Sequence, residues 1–176
     1  MTPLPKGYVH IYTGDGKGKT TAALGLALRA AGAGLKVLII QFMKGQEYSE
    51  TKALKRFSPE IGFIQTGRRK CIRKEEVSDE DRREAHRGLD LARQAMLKGE
   101  IDLLILDEIL VAHWFELVSL DEILSLLDAR PRCLELVLTG RRAPQELIKK
   151  ADLVTEMRAI KHYYEIGVPA RKGIES

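Results

Sequence analysis

Two short stretches of this chain carry residue types that could do chemistry together. The first, Thr13-Gly14-Asp15-Gly16-Lys17-Gly18-Lys19-Thr20-Thr21, sets three glycines among two lysines and ends in hydroxyls. Glycines let the backbone turn so that consecutive N–H groups point inward and form a nest for an anion. A helix starting at the end of this loop would add its unpaired N–H groups and positive dipole end to the same hollow. Lys19 supplies a full positive charge for phosphate oxygens, and Thr20 places a hydroxyl where a Mg²⁺ ion bridging phosphates would sit. The spacing departs from the common G-x-x-x-x-G-K-[ST]: position 13 is Thr13, so the loop is effectively one residue short. A glycine-rich turn that only joins a strand to a helix is the plainer alternative, but it gives Gly-Lys-Thr no reason to stand there. The expectation is nucleoside-triphosphate binding by Gly14, Asp15, Gly16, Lys17, Gly18, Lys19, Thr20 and Thr21.

The second stretch, Leu103-Leu104-Ile105-Leu106-Asp107-Glu108, is an apolar run ending in two carboxylates. In phosphate-loop proteins an acid at the end of a buried strand closes the Mg²⁺ shell opposite the loop hydroxyl. A solvated acidic turn is the competing reading, and the neighbouring phosphate loop weighs against it. Spacing leaves open whether Asp107 or Glu108 is the direct ligand. Guanine-specific proteins carry Asn-Lys-x-Asp; the nearest run, Lys149-Lys150-Ala151-Asp152, lacks the Asn, which argues against a GTPase switch.

Positioning these residues requires elements, and the hydrophobic pattern supplies them. Strands are expected at 8–12, 36–42, 62–66, 103–106, 134–138 and 153–157, the second and fourth apolar on nearly every residue as in a sheet covered on both faces. Helices are expected at 20–33, from Ser78 to about 98, from Ser119 to before Pro131, and over 144–151. Ser78 with Asp81, and Ser119 with Glu122, have the spacing of a capping box. The alternation predicts an α/β fold: one P-loop NTPase-like domain over 1–176, with a mostly parallel open sheet of about six strands and helices on both faces. Ligands in such folds bind beyond the C-terminal ends of the strands.

Composition narrows the partners. The 176 residues hold 29 Lys plus Arg against 25 Asp plus Glu, a net charge of +4. That mild excess suits an anionic small molecule better than nucleic acid, which draws a denser basic stripe. Cys71 and Cys133 belong to no C-x-x-C pair, so nothing points to zinc, a redox motif or a disulfide framework. No apolar run is long enough for a membrane span and the first residues lack a signal-peptide core, so a cytoplasmic protein is expected.

With these residues in place, the chain resembles the P-loop type of ATP:cob(I)alamin (corrinoid) adenosyltransferase over nearly its whole length. The resemblance is carried by Thr13 to Ala23, Arg29-Ala30 with Gly34, Gln41-Phe42-Met43-Lys44-Gly45, Thr66-Gly67 and Leu106-Asp107-Glu108. It continues through Ala129-Arg130-Pro131, Leu138-Thr139-Gly140-Arg141, Lys161-His162, Gly167, Ala170 and Gly173-Ile174-Glu175. The shortened phosphate loop is itself a trait of that family.

The resemblance implies transfer of the 5′-deoxyadenosyl group of ATP to Co(I) of a corrinoid. Triphosphate is released and adenosylcobalamin forms, with ATP held in a reversed sense along the loop. It implies Mg²⁺ (with Mn²⁺ as an alternative ion) held by Thr20 and Glu108, with Glu108 preferred over Asp107 by family position. It further implies catalytic roles for Lys19, Thr20 and Glu108, Arg29 near the nucleotide, a flavodoxin-like reductant and a homodimer. In better-known members an aromatic-containing segment just after Thr-Gly displaces the lower axial ligand of Co(II). Here Arg68-Arg69-Lys70-Cys71-Ile72-Arg73-Lys74 follows Thr66-Gly67 without an aromatic, and 14 of the 20 residues from Arg68 to Arg87 are charged. Ile72 and Cys71 are then the candidates for apolar surface. Only seven residues precede the first strand, so the extension that covers the corrinoid in some members is expected to be missing. Two alternatives stay open. Another P-loop small-molecule kinase would release ADP; an ATP-dependent switch would bind ATP without corrinoid-dependent turnover.

Overall fold

Residues that alternate along each central strand go to opposite faces, and both faces are apolar. Ile40, Leu104, Leu106, Leu136 and Leu138 belong to one buried cluster, while Ile39, Leu103, Ile105 and Val137 belong to another. Period-two alternation with apolar residues on both sides needs cover on both sides, which is why these runs pair in parallel and take crossover helices. A computed structural model describing residues 4–69 and 72–175 has this arrangement.

In chain order the strands are β1 (Val9–Thr13), β2 (Val37–Phe42), β3 (Ile61–Thr66), β4 (Leu103–Asp107), β5 (Glu135–Thr139) and β6 (Leu153–Glu156). The helices are α1 (Lys19–Gly32), α2 (Ser49–Leu54), α3 (Asp79–Lys98), α4 (Ile109–Trp114), α5 (Leu120–Asp128) and α6 (Gln145–Lys150). The sheet has six strands in the order β3-β2-β4-β5-β1-β6. Every pairing is parallel, one step beyond the mostly parallel sheet expected. All strand C-termini therefore lie on one edge, and the register sets Gln41 beside Asp107 and Tyr12 beside Thr139 there.

Helix α1 covers one face through Ala23, Ala27 and Ala30, each buried. Alanine at this spacing lets the helix lie close to the strands at full helix propensity. The other face packs Ala85, Leu89, Ala92 and Met96 of α3, together with α4 and Ile123 and Leu126 of α5. Both expected capping boxes are present: Ser78 with Asp81 opens α3, and Ser119 with Glu122 opens α5. Two six-residue helices, α2 and α4, fall where the pattern predicted none. Helix α4 follows the buried strand directly and continues its apolar run, so periodicity gives no separate signal. Among the described residues no helix is long and apolar enough to cross a membrane.

Candidate active site

The phosphate loop leaves the C-terminal end of β1 and enters α1 at Lys19. Gly14 has φ +95°, and a Cβ on it would lie 2.4 Å from the Met157 carbonyl oxygen. Gly16 is equally crowded, because its N–H donates to that same oxygen at 2.7 Å. Glycine is needed at both positions because the chain just beyond β6 lies against the loop.

Lys19 is buried, and its ammonium donates to the carbonyls of Gly14 at 2.6 Å and Gly16 at 2.7 Å. The cation thus sits inside the loop, with two of its three donors taken by groups that charged oxygens would outcompete. Desolvation, and then the positive Arg141, lower its pKa, while Glu108, Asp15 and Asp107 pull the other way.

Asp107 ends β4 fully buried, with both carboxylate oxygens engaged. Its Oδ1 accepts from Thr20 at 2.9 Å and from Thr139 at 2.7 Å, and its Oδ2 accepts from Gln41 at 2.9 Å. Gln41 in turn accepts from Gln65 at 2.9 Å, so a polar relay runs beneath the site from α1 across four strands. Glu108 differs. Its backbone is left-handed (φ +63°), a conformation that costs free energy in a residue other than glycine, and its N–H is held by the Thr139 hydroxyl at 2.9 Å. Burial and the neighbouring Asp107 push its carboxyl pKa up, against the pull of Lys44, Lys19 and Arg141. Met43 after β2 and Arg142 after β5 are also left-handed, so strained backbone gathers along the C-terminal edge of the sheet.

A cavity of about 830 Å³ joins these parts. Its walls include the loop from Asp15 to Thr21, Lys44, Glu108, Arg141 and Glu175. The sequence-predicted Asp15, Gly16, Lys17, Gly18, Lys19, Thr20, Thr21 and Glu108 are therefore together, with Gly14 supplying a carbonyl to Lys19. Arg29 is not with them. It lies exposed on the last turn of α1 outside this wall, one position past Leu28, which does line it. Lys70 and Cys71 lie outside the described residues, whereas Ile72 lines a second cavity beside the first.

Several site residues had no assigned role from sequence. Gln41, Lys44, Thr139 and Arg141 stood inside the quoted motifs, yet only the folded edge gives them contacts. The C-terminal tail is the larger surprise. Lys17 donates to Glu175 at 2.8 Å and to the Tyr163 hydroxyl at 3.0 Å, and Glu175 also bonds Tyr163 and pairs with Arg171. These partners hold the Glu175 carboxyl far below its usual range, Arg171 contributing most. The segment from 157 to 175 thus straps the phosphate loop.

A family model described as ATP:corrinoid adenosyltransferase BtuR/CobO/CobP matches residues 5–176. The chain belongs to this family. A corrinoid adenosyltransferase of Pseudomonas aeruginosa is 34% identical over 173 residues, covering 97% of this chain and 84% of its own length. One from Escherichia coli K12 is 33% identical over 171 residues, covering 97% and 86%. An uncharacterized protein of Nostoc sp. PCC 7120 is 41% identical over 169 residues, covering 89% of this chain, and this chain spans only 45% of that protein.

Proposed function

We propose that the protein transfers the 5′-deoxyadenosyl group of ATP to the reduced cobalt of a corrinoid, with residues 1–176 acting as one catalytic domain. The observation that carries this reading, beyond family membership, is the arrangement of two cavities at one sheet edge. The first surrounds the phosphate loop and carries its lysines and acids, the other is largely apolar, and both are bounded by Lys44, Glu108 and Arg141. A nucleotide and a flat apolar partner can meet across that boundary.

In the reaction the cobalt(I) lone pair attacks C5′ of the ribose. The C5′–O5′ bond breaks, and its electron pair leaves with triphosphate while cobalt becomes formally Co(III). No proton moves, so no general base is needed; the work is alignment and stabilisation of the departing charge. The loop amides and Lys19 face the triphosphate, and Arg141 adds charge at the boundary with the corrinoid. Lys19 is pre-positioned by two carbonyls and partly desolvated, which strengthens its attraction for phosphate.

The donors present suit a hard divalent cation. Among the described residues no three His, Cys, Asp or Glu gather to hold a metal alone. Mg²⁺ commonly takes one or two protein oxygens and completes its shell with phosphates and water. Thr20 and Glu108 are the ligands proposed, because Asp107 already accepts three hydrogen bonds and serves to orient Thr20. When bound, the ion would neutralise charge building on the triphosphate. Arg29, exposed on α1, is proposed to reach nucleotide only through its long side chain or across a homodimer contact. A flavoprotein is the proposed electron donor for cobalt.

The test is incubation with ATP, Mg²⁺ and chemically reduced Co(I) corrinoid. The reading expects a light-sensitive cobalt–carbon product and free triphosphate in equal amounts. ADP in place of triphosphate would identify a kinase; ATP binding without turnover would identify a switch.

A further inference from the structure

The second cavity, about 280 Å³, is walled by side chains unlike those around the phosphate loop. Helix α4 and the residue that caps it send Val111, Trp114 and Phe115 into it, positions i, i+3 and i+4 that share one helical face. Its other side, Ile109, Leu110 and Ala112, is fully buried in the core. Met43 and Ile72 add further apolar surface. Trp114 is fixed from two directions: the Arg142 guanidinium lies 4.1 Å from its ring centre, and Phe115 meets it edge-on at 5.2 Å and 75°. A stacked guanidinium and an edge-on ring hold an indole in place at little entropic cost. Arg142 has a left-handed backbone, with φ +58°.

We propose that Trp114 is the principal corrinoid-contacting residue of this chain, its indole forming the apolar wall on which one face of the macrocycle packs. The inference rests on the reading that the protein adenosylates corrinoids. Three constraints lead to it. Cobalt must come within bonding distance of the ATP ribose, so the macrocycle has to lie at the boundary of Lys44, Glu108 and Arg141. A flat, methyl-bearing ring needs apolar and aromatic surface there. The segment after Thr66-Gly67 has no aromatic to offer, yet its Arg68, Arg69 and Ile72 line the same cavity as Trp114 and Phe115. Aromatic surface missing from that loop is thus present on α4, across the same space. Arg68, clamped by Asp81 at 2.5 and 2.7 Å, is placed at the rim, where corrinoid amide groups would pass.

The test uses the intact protein with ATP, Mg²⁺ and Co(I) corrinoid, varying each substrate in turn. Trp114→Ala is expected to raise the corrinoid KM about tenfold, leaving the ATP KM within about twofold, as loss of one aromatic contact requires. Trp114→Phe should return the corrinoid KM to within about threefold of the parent, since the aromatic face is kept. Val111→Arg, which fills the cavity from the same helix face, should act on the corrinoid KM alone and gives a second variant should Trp114→Ala fold poorly. Because Trp114 is the only tryptophan, 5-fluorotryptophan labelling yields one ¹⁹F resonance, expected to shift with diamagnetic Co(III) corrinoid and not with ATP alone. An unchanged corrinoid KM in both variants, or equal rises for both substrates, overturns the assignment. So does a resonance that ignores the corrinoid while the parent protein turns over. If the parent forms no cobalt–carbon product, the underlying reading fails instead.

Discussion

The two cavities at the sheet edge are built in opposite ways. The phosphate cavity is built around one continuous stretch, the loop and first turns of α1 from Asp15 to Leu28, which supplies half of its lining; α2, the turns at the sheet edge and the C-terminal tail close the rest. The aromatic cavity takes side chains from β2 and the turn after it, from the segment after β3, from α4 and from the turn after β5. Local chemistry such as glycines, a lysine and a hydroxyl at fixed spacing leaves a signature in sequence. The apolar part of the second wall comes from separate segments and leaves a weaker one, because Met43, Ile72, Val111, Trp114 and Phe115 are ordinary apolar residues until the fold brings them together. The phosphate loop is thus local in sequence, and the aromatic wall is distributed.

The largest effect is expected at the phosphate loop. Lys19→Ala is expected to lower turnover about 10²–10³-fold, the scale of losing a preorganised charge at a developing anion. Triphosphate release reads it directly, and near-parental rates would remove the loop from catalysis.

Next come the paired acids. Asp107→Asn turns an amide donor toward a hydroxyl or toward Gln41, whose own oxygen is already engaged by Gln65. A cost of about 1–3 kcal/mol follows, seen as a fall of several degrees in melting temperature. Glu108→Gln removes a strained carboxylate that accepts no such network. It should raise the Mg²⁺ concentration for half-maximal rate about tenfold while leaving the melting temperature at or above the parent's. The reverse ranking would exchange the two roles.

Asp81→Asn probes the aromatic side. Burial alone would raise the Asp81 pKa, but the Arg68 ion pair and the Ser78 hydrogen bonds outweigh it and the net direction is down. A lowered carboxylate pKa gives stability that is present at neutral pH and is lost as pH falls through the folded value. The parent should therefore lose this contribution only below about pH 4, and Asp81→Asn should lack that acid-dependent step. The variant should also cost about 1–3 kcal/mol and loosen Arg68, raising the corrinoid KM and sparing that for ATP.

The smallest expected effect lies in the tail. Glu175→Gln weakens the tie to Lys17 and should change the ATP KM about twofold, as exposed ion pairs do. Loss of all nucleotide binding would show that the strap, rather than the loop, makes the site.

Much of this was legible before the fold. Both capping boxes lie where Ser78 and Ser119 put them, and the six strands match the apolar runs to within a residue or two at each end. Helix α4 was not legible, since Ile109-Leu110-Val111-Ala112 is apolar on every side and prolongs the strand's own pattern. Arg29 fitted a motif, yet the rotation of the helix between Leu28 and Arg29 takes it off the cavity wall. The tail's Glu175 gave no sign of its partner because Lys17 lies 158 residues away.

By itself, then, the sequence determined a parallel sheet covered on both faces, a shortened phosphate loop at the end of its first strand and acids at the end of its fourth. Each follows from periodicity or from local backbone chemistry, which act over a few residues. The tertiary structure alone decided that Asp107 accepts three hydrogen bonds while Glu108 stands with a left-handed backbone at the boundary of two cavities. It alone set the tail across the loop and brought Trp114 and Ile72 into the wall of one cavity. Those outcomes depend on strand order and helix rotation, which bring distant residues within contact range and which no short window of residues encodes.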